Sequence, residues 1–101
     1  MDVLPLRPGR RMPSAYRIAL YWAGSDGGDD FSVDLFEPHC FRCRRGALTW
    51  ASLERAHLVD RARGGTDFEC NLAMLCSRCH RIMPSFGGED ADEAKNWVRP
   101  R

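Results

Sequence analysis

The chain has 101 residues, with 15 Lys and Arg against 14 Asp and Glu, a formal charge of +1. Such a balance makes no case for a polyanionic partner from net charge alone, and the length predicts one domain (1–101) with a limited core, a size at which a metal or disulfides often supply what burial cannot. No apolar run approaches a membrane span, and Met1 to Met12, rich in Arg and Pro, lacks the apolar centre of an export signal; that absence and the free-thiol pattern of the cysteines both fit a reducing cytoplasm.

In chain order, Met1 to Pro13 reads as an irregular basic arm. Ser14 is placed to cap a helix from Ala15 to about Ala23, stopped by Gly24. Ile18, Tyr21 and Trp22 share one face of it at helical spacing. Gly24 to Asp30 is a loop by composition, and its acids lack the spacing of a calcium loop. Phe31, Val33 and Leu35 alternate with polar residues, which predicts a short extended segment. Cys40-Phe41-Arg42-Cys43 predicts a knuckle, a tight turn with two sulfurs facing one point, closed by Arg44-Arg45-Gly46. Leu48 to Val59 reads mostly as strand, anchored by Trp50, Leu53 and Leu58. Its alternation puts Glu54 and Ala56 on one face, Arg55 and His57 on the other. Asp60 to Glu69, with Gly64-Gly65, is a polar loop. Leu72 to Leu75 predicts a second strand and Ser77 to Met83 a short helix ended by Pro84. Ser85 to Gly88 is a linker. Asp90 to Val98 predicts a last helix, with acids early and Lys95 late, as the helix dipole favours.

Four of the five cysteines fall in two Cys-x-x-Cys pairs, Cys40/Cys43 and Cys76/Cys79. Two such turns supply the four thiolates of a closed tetrahedral zinc site. A redox dithiol or an iron–sulfur cluster is the weaker reading, since a redox pair calls for no second pair. Cys70 stands alone and reads as an inert thiol. Charge is uneven. From Cys40 to Met83 there are eight arginines against four acids, while Asp26 to Glu37 carries five acids and no base. Arginine suits bidentate phosphate contacts, although solvated surface arginines would look the same.

The spacing His57-x13-Asn71-x8-His80, the Gly64-Gly65 pair, and the run Asn71-Leu72-x-x-Leu75-Cys76-x-x-Cys79-His80 together resemble the HNH endonucleases. The closer likeness is to their zinc-stabilised members, whose fold is a ββα-metal (His-Me) finger. It covers about Cys40 to Met83. The resemblance implies a small α+β fold: a core over 40–83 with zinc on four cysteines, an arm and helix before it (1–39), and a tail with a helix after it (84–101). It implies a metal-dependent DNA endonuclease or nickase that leaves a 5′-phosphate and a 3′-hydroxyl. His57 would be the general base, a task that suits a histidine near neutral pKa. His80 would bind the catalytic Mg2+ or Mn2+, and Asn71 would hold the loop and orient His57 by hydrogen bonding. Arg61, Arg63, Arg78 and Arg81 are the candidates for phosphate contacts, and a larger phage or restriction complex is the setting the family suggests.

The residue before the base is Ala56, where many members carry a metal-binding acid or histidine. Glu54-Arg55-Ala56-His57 is similar to a Glu-x-Ala-His variant of the family. Glu54 and Asp60 are the nearest acids for the metal, Glu54 weakened by its place on the strand face opposite His57. His39 has no place in the pattern and reads as incidental. Blander readings stand beside these. A strand histidine is often structural, His80 could serve the zinc site, and Asn71 could cap a turn. The rival functions are a non-catalytic zinc-stabilised nucleic-acid-binding module and a zinc-stabilised protein adapter.

Overall fold

The computed structural model describes residues 12–25 and 31–100. The expected basic arm, up to residue 11, and the acidic loop at 26–30 lie outside the described residues. Ser14 Oγ accepts the Arg17 N–H at 3.2 Å and starts helix α1 (Ala15–Leu20). A wider helical turn continues over Tyr21–Ser25 and breaks at Gly24, whose φ of 106° is costly for any residue with a Cβ. Ile18 and Trp22 are buried as the spacing predicts.

Phe31, Val33 and Leu35 form no strand. Asp34 folds the segment into a turn, its Oδ1 accepting the Phe36 N–H and its carbonyl the Glu37 N–H. The alternation registers burial instead of pairing. Phe31 sits fully buried between Trp22 and Phe41, with ring centroids 4.5 and 5.3 Å away.

The predicted knuckle is present. The Cys40 carbonyl accepts the Arg44 N–H at 3.1 Å, and the Cys40 N–H donates to the Arg45 carbonyl at 2.9 Å. Arg44 makes the reversal at φ 69°, and its guanidinium reaches back to the Ser32 carbonyl at 2.6 Å.

Strand β1 (Glu54–His57) is much shorter than Leu48 to Val59. Thr49 and Ser52 cap one another, each side chain accepting the other's backbone N–H, and this closes Trp50–Ser52 into a 3-10 turn. Strand β2 (Leu72–Leu75) has the predicted bounds and pairs antiparallel with β1, Glu54 opposite Leu75 and His57 opposite Leu72. All four β2 residues are buried. Its other edge is covered too. The Met74 carbonyl accepts the Phe41 N–H at 2.8 Å and the Leu72 carbonyl accepts the Trp22 indole N–H at 2.7 Å. One bond ties the sheet to the knuckle and the other ties it to the helical turn that follows α1.

Helix α2 (Ser77–Ile82) follows β2 directly, and Met83 turns extended before Pro84. Helix α3 (Ala91–Val98) buries Ala94 and Val98. The Arg42 guanidinium lies 4.0 Å from the centre of the Trp97 ring and donates to the Trp97 carbonyl at 3.0 Å, which docks α3 on the knuckle. The chain is thus a small α+β fold. A two-stranded antiparallel sheet is followed by a helix, in ββα order, with α1 and α3 on its flanks and four cysteines gathered at the knuckle. No helix among the described residues is long and apolar enough to cross a membrane.

Candidate metal centre and polar cleft

Cys40 and Cys43 come from the knuckle. Cys76 and Cys79 come from the β2–α2 junction, where Cys76 caps α2 by accepting the Cys79 N–H on its Sγ. All four Sγ atoms lie within 4.8 Å of one another, and those of Cys43 and Cys76 are 3.9 Å apart. A tetrahedron with zinc–sulfur bonds of ~2.3 Å requires sulfurs about 3.8 Å apart, so the four thiols could hold a metal such as zinc. Cys40 and Cys79 are buried, while Cys70 is exposed and outside the group.

His39 has a definite place in this arrangement. It is 5% exposed, and its Nδ1 donates to the Cys40 carbonyl at 3.0 Å. Its Nε2 accepts the Asp34 N–H, also at 3.0 Å. Both ring nitrogens are thereby taken by backbone, and the ring braces the knuckle that holds Cys40. Spacing rules for ligands give no sign of such a residue.

His57 closes β1, and His80 stands midway along α2. The ββα order brings them to one polar cleft of about 210 Å³, walled also by Asp60, Arg61, Met83, Pro84 and Ser85. His80 lines a second, adjoining cleft of about 370 Å³ with Glu54, Ser77 and Arg81. Each histidine has one nitrogen held by a carboxylate. His57 Nε2 is 2.8 Å from Asp67 Oδ1, and His80 Nδ1 is 2.8 Å from Glu54 Oε1. Glu54, expected to face away from His57, therefore reaches across to α2 and meets His80. Ala56 is fully buried and offers no donor at its position.

Asn71 holds the loop through backbone groups. Its Oδ1 accepts the Val59 N–H at 2.9 Å, and its Nδ2 donates to the carbonyls of Val59 and Thr66 at 3.0 and 2.9 Å. Its carboxamide makes no hydrogen bond to the His57 ring; Asp67 makes that bond. Asn71 holds the turn that follows the strand, and its side-chain hydrogen bonds go to Val59 and Thr66 and not to the His57 ring. An asparagine facing two backbone segments satisfies main-chain groups first.

The glycine pair has a steric reason at one member. A Cβ on Gly65 would stand 1.9 Å from the Val59 carbonyl oxygen and 2.9 Å from Asn71 Nδ2. Gly65→Ala is expected to break the Asn71 clasp and cost about 1–3 kcal/mol. A thermal melt of the zinc-loaded protein measures it, and a melting curve like that of the unaltered chain would show that the clasp gives way freely.

Asp67 was not legible as a site residue. It is an acid in a polar loop, and no spacing rule ties it to His57. Its Oδ1 accepts from His57 and from Arg61 Nη2 at 3.0 Å, and its Oδ2 accepts from the same Arg61 nitrogen at 3.1 Å. The His57 hydrogen bond, opposed by burial and aided by Arg61, holds the Asp67 carboxyl below its usual range. Asp67 is therefore ionised at neutral pH, and the ion pair is lost only as pH falls through that lowered value. Of the other residues singled out in the sequence, Asp60 is hydrogen-bonded by the Ser85 hydroxyl. Arg63 donates to the Ser85 carbonyl at 3.3 Å. Arg78 and Arg81 lie exposed on α2, Arg81 at the rim of the His80 cleft.

Residues 40–83 match the family model for HNH endonuclease. The matched segment holds both cysteine pairs, both strands, the Asn71 loop and α2, and it points to a nuclease or nucleic-acid-binding role. No curated protein and no solved structure matches the chain.

Proposed function

We propose, from the HNH endonuclease match of residues 40–83, that this protein is a metal-dependent DNA endonuclease or nickase that hydrolyses phosphodiester bonds. One observation carries the reading: His57 and His80 line one polar cleft, and each has a single ring nitrogen held by a carboxylate, which leaves the other to act. His57 takes the proton from the water that attacks phosphorus. The Glu54 carboxylate accepts from His80 Nδ1–H and so turns the His80 Nε2 lone pair outward, the arrangement usual for a metal-binding histidine.

The donors present suit a hard divalent cation held loosely. His80 offers a nitrogen and Asp60, on the same cleft, an oxygen, with Glu54 behind the His80 ring on Nδ1, and the only group of three or more metal-binding side chains among the described residues is the cysteine cluster. A magnesium or manganese ion, when bound, neutralises charge on the phosphate and on the departing oxygen. With so few protein ligands, water and phosphate would complete the coordination of such an ion, which magnesium tolerates. Asp60 is the acid that lines the cleft shared by the two histidines. Arg78, Arg81 and Arg63 would hold the DNA backbone by phosphate contacts that carry no sequence information, and Arg61 borders the same cleft. The products would be a 5′-phosphate and a 3′-hydroxyl.

The test is cleavage of supercoiled, linear and single-stranded DNA by zinc-loaded protein across a series of divalent metals. Cleavage with magnesium or manganese, and none when the second metal is left out, is the expected result. DNA binding without cleavage under every metal would leave the non-catalytic binding module in its place.

A further inference from the structure

We infer that Asp67 is a positioning residue, one that fixes which nitrogen of His57 takes up the proton. This rests on the nuclease reading of the same cleft. A carboxylate has no hydrogen to give, so in the 2.8 Å contact between Asp67 Oδ1 and His57 Nε2 the ring nitrogen is the donor. In the neutral ring the proton therefore sits on Nε2, and Nδ1 carries the lone pair. Nδ1 has no hydrogen-bond partner among the described residues, and the ring lines the cleft it shares with His80. The basic nitrogen of His57 is thus Nδ1, and Asp67 makes it so.

Asp67 is itself held. Arg61 Nη2 bonds both of its oxygens, at 3.0 and 3.1 Å. The His57–Asp67 hydrogen bond is partly shielded, with the two side chains 19% and 24% exposed. Asp67 stays ionised because the His57 bond and Arg61 outweigh the cost of its burial. The three side chains form one chain, in which Arg61 orients Asp67, Asp67 orients His57, and His57 faces the phosphate. Arg61 gives one nitrogen, Nη2, to this hold. The Asn71 clasp on Val59 and Thr66 keeps the backbone on both sides of the chain in register.

The ring nitrogens can be read directly. In zinc-loaded, full-length protein labelled with 15N, long-range 15N–1H spectra distinguish a protonated ring nitrogen from a bare one, and loss of signals in His57→Gln assigns the ring. At the pH used for cleavage, the unaltered protein should show a proton on Nε2 and none on Nδ1. Asp67→Asn keeps the shape of the side chain but can also donate to Nε2, so a merely structural role would survive it. It should keep its zinc and its melting curve, release His57 from the Nε2–H form, and lose on the order of 100-fold in turnover with KM little changed. Asp67→Glu should recover part of that loss. A proton on His57 Nδ1 in the unaltered protein would overturn the assignment, and this reading needs no variant to fold. An Asn variant with both tautomer and turnover intact would overturn it as well. If no protein cleaves DNA, yet the Nε2–H form is present in the unaltered chain and lost in the variant, the nuclease reading falls and the hold of Asp67 on the ring stands.

Discussion

Stripping zinc from the protein is expected to abolish its cooperative melting transition. The four sulfurs join the knuckle to the β2–α2 junction, and buried Cys40 and Cys79 are part of the same core as Phe41, Trp22 and Leu75. Structural zinc contributes roughly 10–16 kcal/mol of apparent binding energy in small peptides. Small domains hold only about 5–15 kcal/mol in total. Burial pushes the Cys40 thiol up. Burial first, and then the Cys76 thiol, push Cys79 up to about 12. For Cys76 burial acts upward too, but hydrogen bonds from the Cys79 N–H and from the other thiols outweigh it and bring the group down to about 7. At neutral pH, Cys40 and Cys79 therefore hold protons that zinc must expel. Zinc affinity should fall steadily as pH drops below neutral. Circular dichroism melts with and without a strong chelator, and zinc competition at several pH values, measure both effects. A chelated chain that melts as the loaded one does would show that apolar packing alone suffices.

His57→Ala is expected to lower cleavage by about 10²–10⁴-fold while zinc content and melting temperature stay nearly unchanged. The split follows from where the ring sits. His57 ends β1 with its side chain 19% exposed, and it is outside the buried core. The ring's hydrogen-bonded partner among the described residues, Asp67, keeps the Arg61 ion pair when the ring is gone, so no buried charge is stranded. What disappears, on the proposed mechanism, is the group that accepts the proton. Plasmid cleavage, metal analysis and a melt on the same sample decide the point. Retained cleavage would remove His57 from its role. A collapsed melt would make the residue a structural one.

Much of this arrangement is legible in the sequence, for physical reasons. Tetrahedral zinc demands ligands at short fixed spacing, so the Cys-x-x-Cys pairs announce the site before any fold is known. The bounds of β2 follow from an apolar run buried on both faces, and the end of α2 from Pro84. Glu54 and Asp67 were harder. Their partners are set by how α2 crosses β1 and how the loop folds back, both tertiary outcomes that spacing does not encode. The overlong first strand has a local cause. Thr49 and Ser52 read as strand-compatible residues, yet their side chains satisfy the backbone of a turn. His39 was invisible because both of its partners are backbone groups.

The claim beneath all of this is that His57 and His80 act on one phosphate in one cleft. Single-turnover cleavage by the zinc-loaded protein, by His57→Ala, by His80→Ala and by the double variant measures it most directly. Residues that work as a unit are not additive. Each single variant should therefore lose nearly all activity, and the double variant little more. Losses that multiply in the double variant, or a single variant that cleaves like the unaltered protein, would contradict it.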